Sequence, residues 1–163
     1  MSTSQQQAEV VGGKIAAGQT FSAADQLQLV TFGLGSEEFA VDILAVQEIN
    51  RMMALTRVPQ SPPEVEGVIN LRGKIIPVVD LRVRMGLEVV EETDSSRIIV
   101  VDAEDGQVGI IVDAVNEVVT LEGQHIEPTP SLANDDQTEF VEAVAKRDAE
   151  LVTLLNLDSA LAA

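Results

Sequence analysis

The sequence predicts an all-β fold, either a sandwich or a barrel. About nine or ten short apolar runs, rich in β-branched residues, are separated by turn-forming residues at intervals of roughly 8–12 residues. No long segment carries the apolar spacing of a helix, so a parallel sheet with crossover helices is not expected. The 163 residues suffice for one domain with a buried core, and 45% of them are apolar, which is too many for a disordered acidic chain.

The first structured element is a predicted hairpin that follows a polar N-terminal segment. Residues 1–24 are rich in Gln, Ser, Ala and Gly and are interpreted as a mobile tail, with a short helix over residues 5–11 as the alternative. Strand-forming residues over 27–34 and alternating apolar residues over 38–43 meet at a glycine-rich turn, which predicts two paired strands. The apolar spacing within residues 43–49 then predicts about one turn of helix.

A second hairpin is predicted after a stiff connector. Three prolines make residues 58–63 extended, because proline lacks an amide hydrogen and disfavours a helix before it. The apolar runs 67–71 and 74–80 then meet at Arg72 and Gly73, where the glycine can adopt the positive φ of a tight turn.

Turn signals continue along the middle of the chain. Pro77 lies within a strand-like run and indicates a sheet edge or a bulge. One helical turn over residues 81–85, stopped by a glycine, is expected next. Residues 97–102 and 107–112 flank an Asp-Gly pair, which is a strong hairpin signal.

The last third of the chain is predicted to hold three strands, a loop and a short helix. The strands cover residues 115–121, 139–145 and 149–156, and the last two form a hairpin. Residues 122–137 contain glycine, two prolines, asparagine and aspartate and are predicted to form a loop. Asp158 is expected to cap a terminal helix over residues 159–162.

Net charge limits the classes of partner. Lys and Arg number 10 against 27 acidic residues, giving a net charge of −17, which disfavours nucleic acid and anionic membrane surfaces. All aromatic residues are phenylalanines, 4 in number, so base-stacking platforms are not expected. No apolar run approaches the roughly 18 residues of a membrane helix, and no signal peptide is recognised. We therefore expect no nucleic acid partner, no direct membrane insertion and a cytoplasmic location.

The charge is spread unevenly along the chain. Eleven acids and no base lie between Arg97 and Lys146. Between Gly67 and Arg84 the balance reverses, and the bases there are Arg72, Lys74, Arg82 and Arg84, against Asp80 alone. Two interpretations stay open for this basic region: solvated residues that protect a strand edge, or an anchor for an acidic partner.

Side chains with catalytic or metal-binding chemistry are scarce. The chain has no cysteine, which excludes disulfides, cysteine zinc sites and thiol catalysis. His125 is the single histidine and is interpreted as a surface or packing residue. A phosphate-loop pattern starting at Gly67 fails, because Arg72 and Ile75 replace its glycine and hydroxyl residue. The acidic loop near residues 102–113 fails the spacing of a calcium site. We expect no catalysis, no metal and no cofactor.

Three stretches of the chain carry a more specific pattern. They cover residues 28–43 with 46–49, 58–63 with 67–82, and 98–101 with 108–115. The most specific one, residues 67–82, is G-V-I-N-L-R-G-K-I-I-P-V-V-D-L-R. In order and with similar spacing, the three closely resemble the CheW family, the coupling proteins of bacterial and archaeal chemotaxis. The resemblance runs from about residue 26 to the C-terminus.

The resemblance implies a fold and a function. The fold is two SH3-like, five-stranded β-barrel lobes with short helical turns, forming a single domain over residues 25–163. The function is that of a non-enzymatic adaptor, which links methyl-accepting chemoreceptors to the regulatory domain of the histidine kinase CheA in membrane-associated arrays. A length of 163 residues leaves no room for a receiver domain, so we expect a stand-alone coupler. The alternatives are a regulatory barrel of another kinase system and a small carboxylate-dependent hydrolase.

The resemblance also implies a receptor-facing region that contains Arg72 and Glu48. Arg72 lies at the tip of a predicted hairpin, where an exposed guanidinium can bind a carboxylate through two nitrogens. Arg72 could merely pair with Glu48, or the pair could orient the arginine for a partner. Val46, Gly67 and Asn70 match positions near the groove between the lobes, where we expect the helical tip of a receptor to dock. The alternative is that these three residues are plain core.

The kinase-facing surface implied by the resemblance lies on the second lobe. Residues 124–132 match a loop that closes rings of alternating couplers and kinase domains. The family carries arginine where this chain has Glu127, and a bulky aromatic residue where it has Leu132. Either this contact is altered here, or the partner kinase carries compensating changes.

Overall fold

The computed structural model describes residues 26–89, 91–104, 106–128, 141–147 and 150–161. These residues contain eleven strands, two short α-helices and two 3₁₀ turns. The strands are β1 (Gln26–Leu34), β2 (Glu37–Asp42), β3 (Val46–Arg51), β4 (Val65–Leu71), β5 (Lys74–Asp80), β6 (Arg97–Ala103), β7 (Gly106–Val112), β8 (Ala114–Glu122), β9 (Ile126–Pro128), β10 (Val141–Arg147) and β11 (Glu150–Leu155). The helices are α1 (Leu81–Arg84) and α2 (Leu157–Leu161), and the 3₁₀ turns are Ile43–Ala45 and Gly123–His125.

The middle of the chain forms a five-stranded barrel in the order β3-β6-β7-β5-β4. Its two edges are joined by the chain that follows β3. There the amide of Thr56 donates to the carbonyl of Val68 (2.9 Å), and the amide of Val68 donates to the carbonyl of Thr56 (2.8 Å). The interior is aliphatic and consists of Ile69, Ile76, Val78, Ile98, Val100 and Ile111. Burial of these side chains drives the closure.

The two ends of the chain form a six-stranded sheet in the order β8-β1-β2-β11-β10-β9. One apolar cluster draws residues from all six strands, including Leu121 of β8 and Ile126 of β9 at the two edges. The sheet therefore curls into a second barrel. The predicted all-β fold of two small barrels is confirmed, although this barrel has six strands because the three-residue β9 adds to the expected five.

The largest apolar cluster lies between the two barrels. On β1, Leu27 and Leu29 belong to the interior of the six-stranded barrel, whereas Val30, Phe32 and Leu34 belong to this junction core. Phe32 stacks on Phe39 of β2 with ring centroids 6.2 Å apart. The five-stranded barrel contributes residues such as Ile99, Val101 and Ile110. Because both faces of these strands are buried, their sequences are nearly continuous apolar runs rather than strict alternations.

The chain crosses between the barrels beside two aspartates. Asp42 ends β2, and its Oδ1 accepts a hydrogen bond from the amide of Leu44 (2.9 Å), which starts the first 3₁₀ turn. Burial raises the pKa of the Asp42 carboxyl above its usual range. Asp113 stands between β7 and β8; its amide donates to the carbonyl of Gly33 (2.9 Å), and its Oδ2 accepts from the amide of Gly35 (2.6 Å). Each crossover is thus anchored by a carboxylate.

Several local predictions are confirmed and three are wrong in part. The hairpin turns between β4 and β5 and between β6 and β7 are confirmed. The helical turn predicted over 43–49 is only a 3₁₀ turn over Ile43–Ala45, because the residues after it pair with β6. The loop predicted over 122–137 contains the turn Gly123–His125 and β9, which pairs with β10; residues 129–137 lie outside the described residues.

The third correction concerns the terminal helix. It begins at Leu157, so Asp158 lies within its first turn and is not the cap expected. The amide of Ala160 donates to the carbonyl of Asn156 (2.9 Å), so the helix starts two residues earlier than predicted. The N-terminal segment 1–24, interpreted as a tail, lies outside the described residues.

Candidate functional site

The tip of the β4–β5 hairpin presents Arg72. Arg72 and Gly73 both have positive φ, 52° and 85°, the backbone pattern of the two-residue turn that matches the twist of paired strands. The Asn70 side-chain oxygen accepts a hydrogen bond from the amide of Gly73 (3.0 Å) and closes the turn. Asn70 therefore shapes the loop that carries Arg72.

Glu48 on β3 holds the Arg72 side chain. Arg72 Nη1 lies 2.5 Å from Glu48 Oε2, and Asn50 Nδ2 donates to the other carboxylate oxygen at 2.8 Å. Hydrogen bonds from Asn50 and Arg72 lower the pKa of the Glu48 carboxyl below its usual range. The Arg72 side chain is nevertheless 79% exposed, so it is oriented by the pair and still presented to solvent.

Two exposed apolar side chains lie close in the sequence to the residues of this ion pair. Ile75 is opposite Asn70 in the β4–β5 register and is 64% exposed. Leu44, in the 3₁₀ turn directly before β3, is 55% exposed. Ile75 and Leu44 therefore leave apolar surface exposed close in the sequence to the two partners of the ion pair.

The other predicted receptor-facing residues have different surroundings. Val46 is half-buried and packs against the junction core. Gly67 is buried, and a Cβ added there would lie 2.6 Å from the carbonyl oxygen of Thr56. Closure of the barrel therefore explains the glycine at position 67. A substitution of Gly67 would change partner binding indirectly, by disturbing the hydrogen bonds that close the barrel.

The basic region foreseen between Gly67 and Arg84 is not a continuous surface. Arg82 is buried between Asp80 and Asp113, and hydrogen bonding to Asp80 raises the pKa of its guanidinium above its usual range. Arg84 contacts Glu64 (3.5 Å) and donates to the carbonyl of Ala160 (3.1 Å). Neither proposed role, strand-edge protection or partner anchor, fits these two arginines. The exposed bases of the region are Arg72 and Lys74.

Of the two predicted kinase-facing residues, the structure describes Glu127. Glu127 lies on the edge strand β9, and its Oε1 lies 2.7 Å from Lys146 Nζ on β10. Both side chains are more than half exposed. Leu132 lies outside the described residues.

Sequence reasoning missed two partners of the predicted site residues. Asn50 follows Glu48 by two residues, and side chains two apart on a strand share a face, which is a signal that could have found it. Lys146 is 19 positions from Glu127 in the chain, and only the pairing of β9 with β10 brings the two together.

Three observations bear on other functions. Within the described ranges, no helix is long and apolar enough to span a membrane, and no group of three or more acidic or histidine side chains is placed to hold a metal ion. Glu37, Glu38 and Glu150 line a groove beside the β1–β2 turn, but the groove is open to water, unlike the clefts in which carboxylate pairs hydrolyse bonds.

Comparison with known proteins gives a consistent result. The family model described as "CheW-like domain" matches residues 28–163. The chemotaxis protein CheW of Rhizobium meliloti is 39% identical over 81% of this chain and 85% of its own length. The Bacillus subtilis chemotaxis protein CheW is 35% identical over 82% of this chain and 86% of its own length.

A solved structure shares the fold. The scaffolding protein TtCheW of Thermoanaerobacter tengcongensis has a TM-score of 0.80 and 38% sequence identity, covering 85% of this chain and 94% of that one. The shared fold and the length of chain that is matched agree with the family model. The chain belongs to the CheW family.

Proposed function

We propose that this protein is a non-enzymatic adaptor that couples methyl-accepting chemoreceptors to the histidine kinase CheA. Its relatives are named chemotaxis proteins, and its structural neighbour is titled a scaffolding protein. The observation that carries the proposal is the Arg72 hairpin tip, where Glu48 orients an exposed guanidinium. A chain without cysteine and with one histidine is well suited to function through contacts.

The receptor-facing surface is the end of the five-stranded barrel that carries Arg72. Arg72 supplies a charged anchor, Glu48 and Asn70 hold the anchor and its turn, and Val46 and Gly67 support the strands beneath. A helical receptor tip docks in the neighbouring groove through apolar contacts and places a carboxylate against the arginine. Fully desolvated arginines at such positions often contribute a large share of the binding energy.

The kinase-facing surface is on the six-stranded barrel. Segments 26–45 and 113–163, which supply its strands, carry fourteen acids and two bases, against eleven acids and seven bases in residues 46–112. The two barrels therefore present different charge to their partners, which favours two separate binding surfaces. Glu127 on β9 belongs to the ring contact on this side, and the family resemblance assigns Leu132 to the same contact. Recruitment to membrane-associated arrays then occurs through the receptor.

Reconstitution tests the adaptor function and the Arg72 site together. Adding the protein to kinase and receptor-containing membranes is expected to make kinase activity depend on the receptor. The Arg72→Ala variant is expected to co-sediment with these membranes about tenfold more weakly, which corresponds to about 1.4 kcal/mol. Its thermal unfolding should be unchanged, because exposed ion pairs contribute little to stability.

The matched control is Arg57→Ala, which removes an exposed arginine of the connector that follows Thr56. This variant should retain both receptor binding and kinase coupling. Receptor binding by Arg72→Ala equal to that of the unaltered chain would refute the site. Kinase activity that does not depend on the receptor when the unaltered chain is present would refute the adaptor function itself.

Charge reversal on β9 tests the kinase-facing surface. Glu127→Arg is expected to weaken pull-down of the kinase regulatory domain severalfold, because it replaces the ion pair with Lys146 by two adjacent cations and reverses the charge offered to the kinase. Glu117→Arg is the control, since Glu117 is also exposed and paired, 3.2 Å from Arg147 on the same barrel. Unchanged or tighter binding by Glu127→Arg would show that the acidic residue is not part of a matched contact.

A further inference from the structure

A buried network of charges links the two barrels. Arg82, in the first turn of α1, binds Asp80 through two nitrogens: Nε lies 3.0 Å from Oδ1 and Nη2 lies 3.0 Å from Oδ2. Its third nitrogen, Nη1, lies 3.0 Å from Oδ1 of Asp113. The side chains of Arg82 and Asp80 are 6% and 2% exposed, so this pair is nearly sealed from water, whereas Asp113 is 24% exposed and lies at the edge of the network.

Asp113 connects this network to the six-stranded barrel. It is the single residue between β7 of the five-stranded barrel and β8 of the six-stranded barrel. While Oδ1 accepts from Arg82, Oδ2 accepts from the amide of Gly35, and the Asp113 amide donates to the carbonyl of Gly33. One guanidinium thus bonds its own barrel through Asp80 and, through Asp113, the β1–β2 turn of the other.

The apolar junction core and the charged network have different physical effects. Burial of apolar area holds the barrels together, but it has no direction and does not by itself fix an angle. Hydrogen bonds between a planar guanidinium and carboxylates are directional, and Arg82 makes them to both sides of the junction. Buried charges are costly when misaligned, so rotation of one barrel against the other is opposed.

We infer that Arg82 is a positioning residue, which acts through Asp113 to fix the angle between the two barrels. Where the proposed function holds, receptor and kinase bind to different barrels, and this angle sets how one partner is oriented relative to the other. The orientation of the barrels is a property of the chain alone. It can therefore be measured without either partner.

The absence of cysteine makes a direct distance measurement possible. Ile75→Cys on β5 and Leu151→Cys on β11 place one spin label on each barrel, at strand positions that are each 64% exposed. Pulsed electron paramagnetic resonance is expected to give one narrow distance distribution for this labelled protein. Adding Asp113→Asn should at least double the width of the distribution or produce a second distance.

Asp102→Asn is the matched control. It makes the same chemical change at a carboxylate that accepts from Gln47 within the five-stranded barrel (2.5 Å), and the distribution should stay narrow. Arg82→Lys is the substitute test if Asp113→Asn does not fold. It keeps the positive charge but removes the planar guanidinium, so it should also broaden the distance distribution. A narrow, unshifted distribution in either folded variant would overturn the inference.

A functional measurement separates positioning from simple stability. Folded Asp113→Asn should bind receptor membranes and kinase as the parent does, yet receptor-dependent kinase activity should fall severalfold. Full coupling together with a broadened distribution would overturn the role of the angle in signalling. Failure of the unaltered chain to couple at all would refute the proposed function while leaving the distance result intact.

Discussion

Replacing Arg82 with methionine is expected to lower the free energy of unfolding by about 3–5 kcal/mol, the usual cost of removing one partner from a buried ion pair. Methionine preserves most of the side-chain volume, so the loss is electrostatic rather than a cavity effect. Asp80, 2% exposed, would lose both side-chain donors of the guanidinium in a site nearly closed to water. Asp113 would lose its bond from Nη1.

Urea denaturation followed by circular dichroism measures this loss. Arg57→Met is the control, because it makes the same replacement at an exposed arginine and should change the free energy by no more than about 0.5 kcal/mol. A loss for Arg82→Met below about 1 kcal/mol would mean that Asp80 and Asp113 find other donors or water. The charged network would then not be a principal support of the junction.

Gly67→Ala is expected to cost about 1–3 kcal/mol through overpacking. The added methyl would lie 2.6 Å from the carbonyl oxygen of Thr56, and that oxygen accepts the hydrogen bond of the Val68 amide that helps to close the barrel. The clash is with backbone, so no side-chain rotation relieves it. Relief requires moving the chain segment that follows β3, and this movement weakens the paired hydrogen bonds between Thr56 and Val68.

Gly33→Ala is the matched control for this change. Gly33 also lies in a strand, but an added Cβ meets no atom within 4 Å. Alanine there should be neutral or stabilise by about 0.4–1 kcal/mol, because it restricts the unfolded chain. Equal unfolding midpoints for the two variants would refute barrel closure as the reason for glycine at position 67.

The strands were largely predictable because most of them combine β-branched runs with clear turn residues. The turn at Arg72 and Gly73 is an example, since glycine supplies a backbone conformation that other residues disfavour. The helix predicted over residues 46–49 was wrong because their apolar spacing fits a helix as well as a strand. Hydrogen bonding to β6 makes these residues a strand. β9 has three residues, too few for a periodic signal, and it exists through its pairing with β10.

The candidate site was predictable only in part. Exposure of Arg72 follows from its place in a tight turn, and its partner Glu48 came from the family resemblance. The burial of Arg82 could not be predicted, because its second partner, Asp113, is 31 residues away and is brought near by the crossover between the barrels. The sequence alone does not distinguish an exposed arginine in a basic stretch from a buried arginine that pairs with two carboxylates.

The way the chain is divided between the barrels has a consequence for folding. The five-stranded barrel is built from one continuous segment, from β3 to β7, so its contacts can form while the rest of the chain is still being synthesised. The six-stranded barrel joins β2 to β11, which are more than a hundred residues apart, and α2 completes the junction core. This barrel therefore forms only after the last strands have been synthesised, and its long-range strand pairing is the slow step of folding.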